Sequence, residues 1–325
     1  MATVMAGFYA LAMGGETDST REIRVTPHVC ARNGTTGRPA WRMRIFLIWL
    51  LLAGPAFAGE LKFSTWNLSW LTLRPAGGPD LPEDVQPKRA PDIDTLRRYA
   101  LLLDADVVAF SEVDGPELAA RVFPLDRYRI HITGDSVVQR TGFAIRRGIA
   151  FTANPDLVAL DVYKNAKYHL RSAADVTLDL PSGPLRLLAV HLKSGCREEA
   201  LDTRANPACG TLALQLPHLR DWAGQRQAEG LPFVLMGDFN RWMEGRDGFF
   251  AELHRAGPLL RAEAGKHSPC WGGAGFLDHI IAGGTARAWM RPDSLRVLVY
   301  RENTAEMKER LSDHCPVSVR FDVPD

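Results

Sequence analysis

Two rhythms of apolar positions alternate along the chain. The unbroken runs Val107-Val-Ala-Phe110 and Phe233-Val-Leu-Met236 predict strands buried on both faces, because a strand with one wet face would alternate apolar with polar. Further strands are predicted at 61–66, 128–132, 141–145, 276–281, 295–300 and 317–321. The stretches 173–180 and 185–191 predict a hairpin about Pro181-Ser-Gly-Pro184. Elsewhere the period becomes helical. Ile93, Leu96, Tyr99, Ala100 and Leu103 line one face of a helix that starts at Pro91-Asp92. Leu212, Gln215, Leu216, Leu219 and Trp222 line a second, and 117–123 and 248–256 read as shorter helices. Pro, Gly and charged residues make 74–89 a surface loop, and 301–311 is a charged loop or helix expected over the site. The chain thus reads as many strands interleaved with a few helices.

A chain of 325 residues with 46% apolar content can bury a sizeable core. Its formal charge of +1 excludes the strongly basic balance of a dedicated nucleic-acid binder, while leaving room for a local basic cleft. The N-terminal part reads as processed. Basic Arg42-Met-Arg44, the apolar stretch 45–53 and the small-x-small ending Ala56-Phe-Ala58 are the three parts of a secretory signal at 43–58, cleaved after Ala58. The apolar stretch is short for a permanent anchor. Residues 1–42 lack periodicity and are expected to be an unstructured leader, with Met43 standing where a signal peptide should begin. The functional domain is then 59–325, in a periplasmic or secreted protein. Four cysteines remain in it, and an exported chain favours disulfides. Of three possible pairings, Cys196–Cys209 is preferred because these two bracket one polar segment, 197–208, with Cys270–Cys315 as the second bridge. No Cys-x-x-Cys or His-x-x-x-His spacing supports zinc.

The candidate chemistry sits where the apolar runs stop. Phe233–Met236 ends at Gly237 and delivers Asp238 and Asn240; Phe110 is soon followed by Glu112. Asn67 ends the first strand, His191 ends the hairpin, Asp278 precedes His279, and Asp313-His314 precede the last strand. Singly, each has an ordinary explanation as a turn former, a solvated carboxylate or a hydrogen-bonded structural histidine. Glu112 is the least comfortable of them. An unpaired carboxylate behind a wholly apolar run is costly, and a hard divalent cation with oxygen ligands would relieve it.

Together the stretches Thr65-Trp-Asn-Leu68, Ser111-Glu-Val113, Val190-His-Leu-Lys-Ser194, Gly237-Asp-Phe-Asn240, Leu277-Asp-His-Ile280 and Ser312-Asp-His314 span nearly the whole mature chain. In this order they resemble the endonuclease/exonuclease/phosphatase superfamily, the DNase I-like fold. The resemblance implies a four-layer α/β/β/α sandwich of two facing, mostly antiparallel β-sheets with a site at one edge. It thereby implies an α+β fold, and with it phosphodiester hydrolysis assisted by Mg2+ or Mn2+. Glu112 and Asp313 then look like metal ligands, with Asn67 beside the metal and the phosphate. Asp238 looks like the base that orients or deprotonates water, and Asn240 like a donor to the phosphate. His314 resembles the catalytic histidine, held in its tautomer by Asp278, and His191 the histidine that protonates the leaving oxygen. A phosphodiester is anionic and repels hydroxide, so a cation, a placed water and an acid are the parts such chemistry needs.

His279 departs from the family pattern, where relatives more usually carry an aromatic or aliphatic residue. The stapled loop 195–210 is not shared by the intracellular DNA-repair branch, which with export argues against a repair role. The expected substrate is a nucleic acid, DNA or RNA, with Arg140, Arg146, Arg147, Lys164, Lys167, Arg171 and Lys193 as candidate cleft cations. Lipid headgroups or small phosphate esters are the alternative, with Trp70, Leu71 and Trp242-Met243 as candidate membrane-facing residues. A non-catalytic binding module is a third reading, against which Glu112, Asp238 and His314 are all present. A monomer with no stable protein partner is expected.

Overall fold

The computed structural model describes residues 22–24, 57–78, 81–164, 169–202 and 205–325. The expected leader and signal fall largely outside the described residues, as does Lys167; Phe57 and Ala58, the last two signal positions, open a strand. In chain order the elements are β1 (Glu22–Arg24), β2 (Phe57–Leu71), α1 (Ala90–Leu103), β3 (Val107–Val113), α2 (Pro116–Val122), β4 (Tyr128–Ile132), β5 (Arg140–Arg146) and β6 (Ala150–Ala153). They continue with β7 (Ala174–Leu180), β8 (Gly183–His191), α3 (Pro207–Ala228), β9 (Phe233–Asp238), α4 (Gly248–Leu253), β10 (Leu259–Arg261) and β11 (Asp278–Gly283). The chain closes with α5 (Ala286–Trp289), β12 (Met290–Leu298), α6 (Ala305–Arg310) and β13 (Val317–Pro324).

The strands form two sheets, ordered β1-β12-β13-β2-β3-β5-β4 and β10-β11-β9-β8-β7-β6. Each sheet is antiparallel except for one central parallel pair, β2 with β3 and β8 with β9. A parallel pair needs a long crossover, and α1 and α3 supply the two. Alternation along the strands builds the layers. Leu187, Ala189, Val234 and Met236 join a core cluster with Phe63 and Phe321 of the facing sheet. Their neighbours Leu188, Val190, Phe233 and Leu235 turn the other way, onto Leu212, Leu216, Leu219 and Trp222 of α3. The Trp222 indole N–H also donates to buried Asp175 of β7 at 2.7 Å, pinning α3 to its sheet. On the first sheet α1 buries Ile93, Leu96, Tyr99, Ala100 and Leu103, the face its periodicity predicts. The result is the expected α/β/β/α sandwich.

Several boundaries move. β11 starts at Asp278 instead of 276, and β12 covers Met290–Leu298 instead of 295–300. β1, β6 and β10 have no predicted counterpart: β1 pairs with β12 from within the stretch 1–42 expected to be unstructured, and edge strand β6 has mostly exposed side chains, so it leaves no apolar alternation to read. The charged segment 301–311 contains the short helix α6. Both disulfides form as paired above, Cys196–Cys209 and Cys270–Cys315. Among the described residues no helix is long and apolar enough to cross a membrane.

Candidate active site

Three neighbouring strands set three predicted residues in one row. His191, the last residue of β8, is in register with Asp238, the last of β9, which is in register with Asp278, the first of β11. Gly237 permits this row: its φ is +141°, and a Cβ there would lie 2.1 Å from the Val190 carbonyl oxygen of β8. Asn240, also left-handed at φ +54°, turns the chain back on Asp238, so that its backbone N–H and side-chain amide both donate to the carboxylate, at 2.7 and 3.1 Å.

The other sheet contributes from across the sandwich. β2 bulges after Asn67, its pairing with β3 jumping from Asn67–Ser111 to Leu71–Val113, and Glu112 sits in the same irregularity at φ +62°. Asn67 and Glu112 therefore lie at interruptions within longer strands, not beyond strand ends as expected. Asn67 Nδ2 bridges the sheets, donating to Glu112 Oε1 and Asp238 Oδ2 at 3.0 Å each. The Trp70 N–H donates to Glu112 Oε2 at 2.9 Å.

His314 completes the group. Its Nδ1 lies 2.5 Å from Asp278 Oδ2, and its Nε2 lies 3.8 Å from Asp238 Oδ2 and 4.0 Å from Asp313 Oδ1. The loop that carries it is held on three sides. Ser312 Oγ donates to the Asn67 carbonyl at 2.7 Å and accepts the His314 N–H at 3.0 Å. The Tyr300 hydroxyl accepts from the Trp66 indole at 2.9 Å and donates to the His314 carbonyl at 3.0 Å. Cys315 is bridged to Cys270. Trp66 and Tyr300 escaped the sequence reading because their rings are core; only their polar atoms face the loop.

Burial pushes the Asp238 carboxyl up to about 7, with Asp278 adding and His314 and the amides of Asn67 and Asn240 opposing. For His314 burial works against the charge, but Asp278 and Asp238 outweigh it and hold the imidazole well above its ordinary range. His191 goes the other way: burial, then the like charges of Arg171, His314 and Lys193, push it well below. Its Nε2 stands 3.5 Å from Glu112 Oε1, while its buried Nδ1 has no hydrogen-bond partner among the described residues. These surroundings favour the charged imidazole at His314 and the neutral one at His191.

Other expected residues separate cleanly. Asn67 presents its nitrogen to the carboxylates of Glu112 and Asp238, and its oxygen accepts the Ser69 N–H at 2.8 Å with a second lone pair to spare. Asp313 is half exposed beside His314. Glu112 takes its hydrogen bonds from the uncharged donors of Asn67 and Trp70, and its carboxylate is the kind of oxygen donor a hard cation takes. Ligand atoms of Asp238, Asp278 and His314 also converge within 4.8 Å, but there the imidazolium already meets both carboxylates. Arg171 is buried behind the row, and its Nη2 shares the Leu192 carbonyl with the Asn240 amide, at 3.3 and 3.1 Å. Arg146 pairs with Asp104 and Asp106 instead. His279 faces away from the row, with Nε2 donating to the Arg241 carbonyl at 2.8 Å and its ring edge on Phe239.

The sequence from 64 to 314 matches the model of the Endonuclease/Exonuclease/phosphatase family. Among curated proteins none matches. Solved structures of similar fold include truncated Caenorhabditis elegans TDP2, 15% identical with a TM-score of 0.54, covering 81% of this chain and 98% of that one. A humanized D. rerio TDP2 is 17% identical, with a TM-score of 0.53 and coverage of 81% and 99%. The human Nocturnin catalytic domain with bound sulfate anion is 16% identical, with a TM-score of 0.51 and coverage of 81% and 94%. At such identities the likeness establishes the fold.

Proposed function

Because the chain belongs to the Endonuclease/Exonuclease/phosphatase family, we propose that it is an exported, divalent-metal-dependent phosphodiester hydrolase that acts as a nuclease on DNA or RNA. The observation that carries this reading is the His314 imidazole clamped by Asp278 at 2.5 Å and aimed at Asp238, with Asn67 and Glu112 closing the same pocket from the other sheet. Asp238, at about 7, has the strength of a general base at neutral pH. The amides of Asn67 and Asn240 fix its orientation, so a water hydrogen-bonded to its free lone pair is placed for attack on phosphorus. His314 holds a proton at Nε2 for the departing oxygen, while Asp278 holds Nδ1. A Mg2+ or Mn2+ ion held by Glu112 and Asp313 would supply positive charge to the phosphate oxygens. His191, kept neutral, takes a positioning role beside Glu112 and Asp238.

Export is supported by the two disulfides and by the signal expected at 43–58. Of the four candidate membrane-facing residues, Leu71 and Met243 are buried in the core, while Trp70 and Trp242 are half-buried and line grooves, which favours the nucleic-acid reading over the lipid-headgroup one. The test is hydrolysis of plasmid DNA and of bis-p-nitrophenyl phosphate with Mg2+, Mn2+ or EDTA, beside Asp238→Ala and His314→Ala. Metal-dependent nicking lost in both variants is the expected result. Cleavage of the small diester alone transfers the same chemistry to lipid or small esters, and metal binding without any cleavage overturns the enzymatic reading.

A further inference from the structure

Asp313 and Lys308 line two grooves at once. One passes Asp278 and His314; the other, a cavity of about 760 Å3, lies between the loop 84–89 and α6. A strand that crosses His314 therefore continues into the second groove. Lys88 stands at its floor, 4% exposed. Its Nζ donates to the Glu309 carbonyl in the last turn of α6 at 3.1 Å, its only hydrogen-bond partner among the described residues. The neighbouring carboxylate of Asp92 is taken by Arg310 and Arg89. A buried cation without a carboxylate partner is costly, and an ammonium has three protons to place. Burial lowers its pKa to about 8, with Glu112, Asp313 and Asp92 pulling the other way. Trp70 lines the same groove, half-buried in a left-handed backbone fixed by its N–H bond to Glu112.

We propose that Lys88 and Trp70 form the subsite for the nucleotide next to the scissile phosphate, the Lys88 ammonium binding an oxygen of the neighbouring backbone phosphate and the Trp70 ring packing on the base or sugar between the two. The proposal rests on the nuclease reading above. It makes the enzyme a reader of a polyanionic strand, since a phosphocholine headgroup or a simple diester such as bis-p-nitrophenyl phosphate has no second phosphate to offer.

Binding of a short fluorescein-labelled oligothymidylate is measured by anisotropy in EDTA across a salt series, for wild type, Lys88→Met, Lys88→Arg and Trp70→Ala. Arg255→Gln, an exposed surface cation outside both grooves, is the control. Lys88→Met should weaken binding about tenfold, the value of one charged hydrogen bond. The slope of log affinity against log salt should fall by about 0.7, the contribution of one phosphate contact on a single strand. Lys88→Arg should keep the slope, and Trp70→Ala should weaken binding with the slope intact. In steady state Lys88→Met should act mainly on KM. Wild-type protein that cleaves a diester while Lys88→Met keeps the wild-type slope overturns the subsite and leaves the hydrolase reading standing. Wild-type protein that cleaves neither the small diester nor the oligonucleotide overturns both.

Discussion

Gly237→Ala tests whether the row His191, Asp238 and Asp278 depends on the close approach of β8 and β9. The added Cβ would stand 2.1 Å from the Val190 oxygen, 2.8 Å from its nitrogen and 3.0 Å from its carbonyl carbon. Ordinary contact needs roughly 3.5 Å, so the strands must part by about 1 Å. The φ of +141° is glycine territory, and holding alanine there costs about 1–3 kcal/mol. Overpacking adds about 1–3 kcal/mol, and weakening the Leu192 N–H bond to the Asp238 carbonyl about 1 kcal/mol. The sum, about 3–7 kcal/mol, rivals the whole stability of a typical domain. Gly183→Ala isolates the backbone component, because its φ is +108° and nothing lies within 4 Å of the added Cβ. Guanidinium unfolding followed by circular dichroism should rank Gly237→Ala well below Gly183→Ala. Hydrolysis per folded molecule should drop about a hundredfold, since Asp238 moves by about an ångström. Equal stabilities for the two variants, or full activity in Gly237→Ala, would refute the claim that this contact sets the site.

Two further outcomes follow from the charges and the cross-links. Asp238 has a folded pKa of about 7 against an ordinary value near 3.9, so its contribution to stability is present below about pH 4 and is lost as pH rises through 7, about 4 kcal/mol over the range. In EDTA, Asp238→Asn should flatten the fall of the unfolding midpoint between pH 5 and 8; an unchanged pH slope would count against a buried, protonatable carboxylate. Removing Cys270–Cys315, which closes a separation of 45 residues, should cost about 4 kcal/mol, and removing Cys196–Cys209, with 13, about 3 kcal/mol. Double serine variants compared by urea unfolding check this. Only the first pair should also lower activity, because Cys315 adjoins His314.

The fold was legible where burial is one-sided or complete. The helical face of α1, the runs of β3 and β9 and the β7–β8 hairpin each leave a periodic trace because their side chains face a core. Edge strand β6 and short β10 leave none. The residues that the structure gathers around Asp238 were named from the sequence, but their backbone setting was not. Antiparallel β11 enters the sheet at Asp278 because that residue must pair with Asp238; the apolar Phe276 ahead of it is buried outside any strand and so imitates one. Lys88 was lost in a segment whose Pro, Gly and charge look like surface, since the feature that matters, burial against α6, is a long-range contact. His279 could not be assigned from sequence because it neighbours Asp278 in the chain while alternation sends it to the opposite face of the sheet.

The bulges explain why strand periodicity and backbone geometry part company at the site. Side chains of a regular strand point perpendicular to the sheet, into one layer or the next, so a flat β2 and β3 would bury Asn67 and Glu112 apart from each other. Convergence on Asp238 of the facing sheet requires the pleat to break. Apart from Asp104, which ends α1, every described non-glycine residue at positive φ stands at the clefts: Ser69, Trp70, Glu112, Asn240 and Trp271. Each such residue costs about 1 kcal/mol or more, a cost that strand propensity alone would never select. The offset comes from the polar contacts that only the broken geometry allows, above all Trp70 N–H to Glu112 and Asn240 N–H to Asp238. Local sequence preference and site geometry therefore disagree at these positions, and it is the site that wins.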